Sequence, residues 1–130
     1  MRLVKKSQEP DKSSTLPSVW YKAILERQAV HEKLRLSVLQ KINKSLKTLE
    51  NKYNWDDTYL FGSVAQKGKF KRNSDIDMAI SGLNKFEHYA FTGEISELLD
   101  KPVDVVLLEE CIFTESIKEK GLKWNRKTGF

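Results

Sequence analysis

The chain of 130 residues is almost without cysteine: Cys111 stands alone. One thiol cannot close an internal disulfide. Histidine is nearly as scarce, with only His31 and His88, so a zinc site built from Cys and His is not expected. Any metal held here should take oxygen ligands. Long apolar runs are missing too. No stretch approaches the ~20 apolar residues needed to cross a bilayer. Residues 1–14 carry two early lysines with no apolar core behind them, so they do not read as a secretory leader. The expectation is a cytoplasmic protein with no membrane attachment. Acidic residues are outnumbered, 18 against 23 basic ones, giving a net charge of +5. Such a balance suits a basic soluble surface or a polyanionic ligand: a triphosphate, RNA or an acidic partner. Charge alone does not choose among them.

What remains is a soluble globular composition, 39% hydrophobic and 32% charged, at a length suited to one domain. Residues 1–17 are polar, punctuated by Pro10 and Pro17, and read as a flexible arm. Residues 18–130 read as a single domain with an N-terminal helical segment. Leu34, Val38, Ile42, Leu46 and Leu49 recur at steps of four and three, one face of a helix. Val19, Ile24 and Val30 extend helical structure earlier, as a separate helix or the same one. Lys33, Lys41, Lys44 and Lys47 lie mostly off the apolar stripe. They read as a solvated face in preference to a nucleic-acid contact.

Asn51 to Asn54 reads as a turn. Thr58 to Phe61 is a short strand, and Ile76 to Ile80 a second. Lys85 to Leu99 is helical and is ended by Lys101-Pro102. Val103 to Leu108 is a third strand, Glu109 to Lys120 a last helix, and Gly121 its cap. The fold class is therefore α/β, of the α+β kind, with a small mixed sheet flanked by helices.

Chemistry concentrates in three places. Asp75 and Asp77 are two apart, so on a strand they share a face while Ile76, Met78 and Ile80 share the other. Adjacent carboxylates repel, and a divalent cation removes the conflict; magnesium takes such ligands together with phosphate oxygens. Asp104 interrupts an otherwise apolar strand, Val103 to Leu108. There it either reaches solvent at the strand's start or joins the other two carboxylates. Three carboxylates suit a two-metal site for phosphoryl displacement. Gly62-Ser63 directly follows the first strand, where glycine lets backbone approach a phosphate and the serine hydroxyl can donate to it. Lys67, Lys69, Lys71 and Arg72 lie between this corner and Asp75. They could hold a leaving pyrophosphate or equally form a solvated loop.

Together, Phe61-Gly62-Ser63, the loop to Ser74, Asp75-Ile76-Asp77 and the later Val103-Asp104-Val105-Val106 resemble the signature of the DNA polymerase β-like nucleotidyltransferases. The resemblance runs from about Leu34 to Leu122 and is strongest toward the minimal nucleotidyltransferases (MNT), short proteins often encoded beside a HEPN-family RNase toxin. It implies the nucleotidyltransferase fold. It implies that Asp75, Asp77 and Asp104 are catalytic and bind magnesium, and that Gly62 and Ser63 hold the phosphates of ATP. The family's usual Arg-Gly after Gly-Ser is here Gln66-Lys67-Gly68, so Lys67 takes the arginine's place as a point charge. The implied function is that of an antitoxin transferring AMP from ATP to a tyrosine of its HEPN toxin. The alternative is a binding module that masks the toxin by stoichiometric contact. Transfer to a small molecule or to RNA ends ranks third, because larger relatives do this with extra domains for the acceptor.

Overall fold

The computed structural model describes residues 17–130. The flexible arm expected over residues 1–17 therefore lies outside the described residues, except for Pro17. Helix α1, Ser18–Leu49, has 32 residues, about 48 Å at 1.5 Å per residue. The segment with Val19, Ile24 and Val30 is continuous with it, since no Gly or Pro interrupts the run. Only its second half is packed: Leu39, Ile42, Ser45, Leu46 and Leu49 are buried, whereas every residue from 18 to 30 is exposed.

Strands β1 (Asp57–Phe61), β2 (Ile76–Ser81), β3 (Val103–Leu107) and β4 (Leu122–Lys123) form one sheet in the order β3-β2-β1-β4. β1 runs antiparallel to both β2 and β4, while β2 and β3 are parallel. Parallel neighbours need a long crossover. It is supplied by a 3₁₀ turn at Lys85–Glu87 and helix α2, His88–Leu99. Asn84 opens that crossover by accepting the Phe86 N–H at 2.9 Å. Asp100, in the left-handed region at φ 51°, closes α2 two residues before Pro102. The last helical segment is shorter than expected. Glu109 belongs to a 3₁₀ turn at Leu108–Glu110, and α3 spans only Thr114–Lys120.

Period-two alternation sends the strands' side chains to two unlike faces. One face carries Leu60, Ile76, Met78, Ile80, Val103 and Val105, and it packs with Ile42, Leu46, Phe91 and Ile95 from α1 and α2. The other carries Tyr59 and Ala79, covered by Leu108 and by Ile117 of α3. The C-terminal segment belongs to the first core. Trp124 is buried, its indole N–H donates to Asn43 Oδ1 at 2.8 Å, and its ring stacks on Trp55 at 6.1 Å. Arg126 lies over both indoles and donates to the Trp55 carbonyl.

Candidate active site

The second sheet face is only half covered, and its open half carries the acidic residues. In the β2–β3 register Asp77 stands directly opposite Asp104. Parallel neighbours in register present their side chains on the same face, so the two carboxylates are side by side. Asp104 is exposed and Asp77 half-buried. Asp75 precedes the first residue of β2 by one position and is exposed. Burial pushes the Asp77 carboxyl above its usual range, and the charges of Asp104 and then Asp75 push it further. The three groups thus feel one another across two strands.

The Gly-Ser corner meets the same point. Phe61, the last residue of β1, pairs with Asp77. The chain then turns into a 3₁₀ segment, Gly62–Ala65. Gly62 adopts φ +73°, and a Cβ built there would collide with Asp77 Oδ2. The left-handed backbone favours glycine here, and any larger residue would also have to displace the Asp77 carboxylate. Ser63 is half-buried beside it. Gln66 reaches back to donate to the Gly62 carbonyl at 3.3 Å.

Between this corner and α3 lies a cleft of about 670 Å³, lined by Phe61, Gly62, Gln66, Asp104, Val106, Phe113 and Lys120 among others. Its size is in the range of small-molecule sites. It joins apolar walls to one carboxylate, a lysine and a glycine backbone. Gln66, Phe113 and Lys120 were not singled out in the sequence. Each sits in a segment whose local pattern reads as ordinary loop or helix, and only the return of α3 over the sheet brings the last two to the corner. On the far side of Asp104, His88 Nε2 donates to the Val105 carbonyl at 2.6 Å, which pins the start of α2 to β3.

Lys67 is placed elsewhere. It lines a different cleft, between its own loop and α1, with Leu25, Glu32 and Lys33. Gly62, Asp77 and Asp104 meet at one corner, with Ser63 and Asp75 adjoining them in the chain, whereas Lys67 lines the other cleft.

The donor set fits a hard divalent cation: carboxylate oxygens only, drawn from neighbouring strands. Among the described residues, no three His, Cys, Asp or Glu side chains are gathered closely enough to hold an ion as they stand.

Comparison with known proteins decides the family. The profile described as "Polymerase beta, Nucleotidyltransferase" matches residues 24–123. The chain belongs to the polymerase β nucleotidyltransferase family. The match takes in the Gly-Ser corner, all three aspartates and most of α1. No curated protein matches the chain. Among solved structures, it is similar to a toxin-antitoxin crystal structure with AMP-PNP, at 30% identity and a TM-score of 0.54, over 63% of this chain and 70% of that one. It is also similar to two mutants of the toxin-antitoxin MntA-HpeT, each at 26% identity, with TM-scores of 0.52 and 0.53 and 70% of those chains covered. These neighbours agree with the MNT resemblance carried by the sequence motifs. Among the described residues, no helix is long and apolar enough to cross a membrane.

Proposed function

We propose that the protein is the antitoxin of a toxin–antitoxin pair and transfers AMP from ATP, with magnesium, to a tyrosine of a HEPN-family RNase toxin. The observation that carries this reading is the register of β2 against β3, which sets Asp77 beside Asp104 while Gly62 abuts Asp77. Family membership supports nucleotidyl transfer. Similarity to toxin-antitoxin structures, one of them with AMP-PNP, supports the kind of partner and the nucleotide.

In this reading the tyrosine oxygen attacks the α-phosphorus of ATP. The new bond joins that oxygen to phosphorus. The bond from phosphorus to the oxygen bridging the β-phosphate breaks, and pyrophosphate leaves. Asp104, exposed on β3, orients the hydroxyl and takes its proton on a carboxylate oxygen. The bare backbone at Gly62 lets the phosphates approach, and the corner's amides and the Ser63 hydroxyl donate to their oxygens. Asp75, Asp77 and Asp104 would hold magnesium, which supplies positive charge against the triphosphate. Lys67 acts through its field on the departing pyrophosphate rather than as a contact of the cleft. The nucleoside lies in the cleft walled by Phe61, Val106 and Phe113.

A second reading, masking of the toxin by stoichiometric contact, is favoured by one observation. The first half of α1 exposes Val19, Trp20, Ile24, Leu25 and Val30, an apolar surface that the domain itself does not use. One experiment separates the two. The partner toxin is incubated with the protein, labelled ATP and magnesium, then weighed by mass spectrometry. A gain of one or more AMP units, lost in Asp75→Ala/Asp77→Ala together with protection of cells, is the expected result. Label and protection that both survive the double substitution would remove Asp75 and Asp77 from the site, and a toxin left unlabelled by the unaltered protein would remove the enzyme reading. Protection that persists without label would establish masking.

A further inference from the structure

The loop that follows the Gly-Ser corner is tied to α1 at two points by a single ion pair. Glu32 and Arg35 are three apart on α1, and their side chains meet at 2.8 Å. The second oxygen of Glu32 accepts the Gly68 N–H at 2.7 Å. Arg35 uses Nε to donate to the Val64 carbonyl, also at 2.8 Å. Both side chains are largely withdrawn from water, 18% and 11% exposed. An i, i+3 pair on a helix surface normally contributes little to stability. This pair reaches across 36 and 29 residues of chain to grip backbone.

The gripped atoms matter because of what lies between and before them. Val64 is one residue beyond Ser63, inside the 3₁₀ turn that begins at Gly62. Gly68 ends the stretch in which Gln66 reaches back to Gly62. Backbone groups that receive phosphates must be held within about 0.5 Å of their working positions. The local bonds of the turn, such as Gln66 N–H to Ser63 O at 3.1 Å, set its shape but not its place on the domain. The Glu32–Arg35 pair sets its place.

We propose that Glu32 and Arg35 are positioning residues that hold the Gly62–Ser63 corner for the triphosphate. They act through the Gly68 amide and the Val64 carbonyl without touching substrate. This deepens the proposed nucleotidyl transfer and rests on it. It also links the corner to the helix whose exposed first half lies a turn away.

The decisive variant is the charge swap Glu32→Arg/Arg35→Glu. It keeps an i, i+3 ion pair on α1 and the net charge of the chain. It abolishes both grips: arginine at 32 cannot accept from Gly68, and glutamate at 35 cannot donate to Val64. The full chain is titrated with AMP-PNP and magnesium by calorimetry, with no toxin present. The swap is expected to weaken nucleotide binding by about 10- to 100-fold, the scale on which small misplacements act. Arg35→Lys keeps a cation beside Glu32 but gives up the fork, and it should weaken binding about tenfold or less. Its KM for ATP should rise while the KM for the acceptor stays unchanged. A merely structural ion pair would be restored by the swap, so wild-type nucleotide affinity in the swapped protein overturns the proposal. If the swapped chain does not fold, Arg35→Lys decides: wild-type affinity and KM for ATP overturn the proposal equally. Absence of nucleotide binding in the unaltered protein overturns the proposed function itself, a distinct result.

Discussion

The two faces of one small sheet are built to opposite rules. The face under α1 and α2 is continuous apolar packing, with Ile42, Leu46, Leu60, Met78, Phe91 and Ile95 fully buried. The face under α3 has a small cluster around Tyr59, Ala79 and Ile117, and then an open end with three carboxylates. Burying apolar area stabilises a fold, whereas crowding like charges opposes it. Stability and candidate chemistry are therefore segregated across a layer one strand thick, and each strand serves both through alternation. β2 shows this most plainly: Ile76, Met78 and Ile80 enter the core, and Asp77 between them enters the site.

That contrast can be attacked first from the packed side. Trp124→Ala removes a buried indole that stacks on Trp55 and bonds to Asn43. Urea denaturation should show a loss of about 3–5 kcal/mol, while nucleotide binding per folded molecule stays at its original level. A comparable loss of affinity in the folded fraction would mean that the faces are not independent.

A smaller effect belongs to the edge of the same core, where Tyr53 donates to Glu94 and Lys52 pairs with that carboxylate at 3.0 Å. The Tyr53 hydrogen bond, with Lys52, holds Glu94 below its ordinary value of 4.5. The hydrogen bond to Glu94, with burial, pushes the Tyr53 phenol up to about 12. A lowered carboxyl contributes stability above its unfolded pKa and loses it as pH falls through the folded one. A raised phenol contributes below pH 10 and loses it as pH rises through about 12. Tyr53→Phe should thus lower the melting temperature at neutral pH and bring the variant and wild-type curves together as pH falls below 4.5. A constant gap across that range would locate the tyrosine's contribution in packing alone.

The smallest change should have the opposite sign. Asp77 carries a raised pKa, so in the folded chain its charge is unfavourable at neutral pH without metal. A raised carboxyl gains stability as pH falls and is penalised above its pKa. Asp77→Asn should therefore leave the metal-free melting temperature equal or slightly higher at pH 7, although AMP transfer falls to background. A clear drop in melting temperature would show that the acidic face supports the fold after all.

Much of this contrast was legible in the residues themselves. The alternation around Asp77, the apolar steps from Leu34 to Leu49 and the Gly-Ser corner are local patterns, and local geometry fixes what they become. The sequence reading did not find β4 or the burial of Trp124, and it left open whether α1 was one helix or two. A two-residue strand has no period to detect. A tryptophan near a chain end carries no sign of what will cover it. Glu32 and Arg35 were invisible for a related reason: opposite charges three apart on a helix read as a solvated pair.

Residue order by itself determined the inventory: the aspartates at 75, 77 and 104, a glycine at the corner, strands of the right period, and too few thiols and imidazoles for a rival zinc site. Tertiary structure alone decided who meets whom. The parallel register that puts Asp77 against Asp104, the return of α3 that walls a cleft, and the reach of α1 to Gly68 are contacts between segments tens of residues apart. Such contacts depend on how whole faces pack, and packing sums many weak, non-directional terms that no short window of sequence contains.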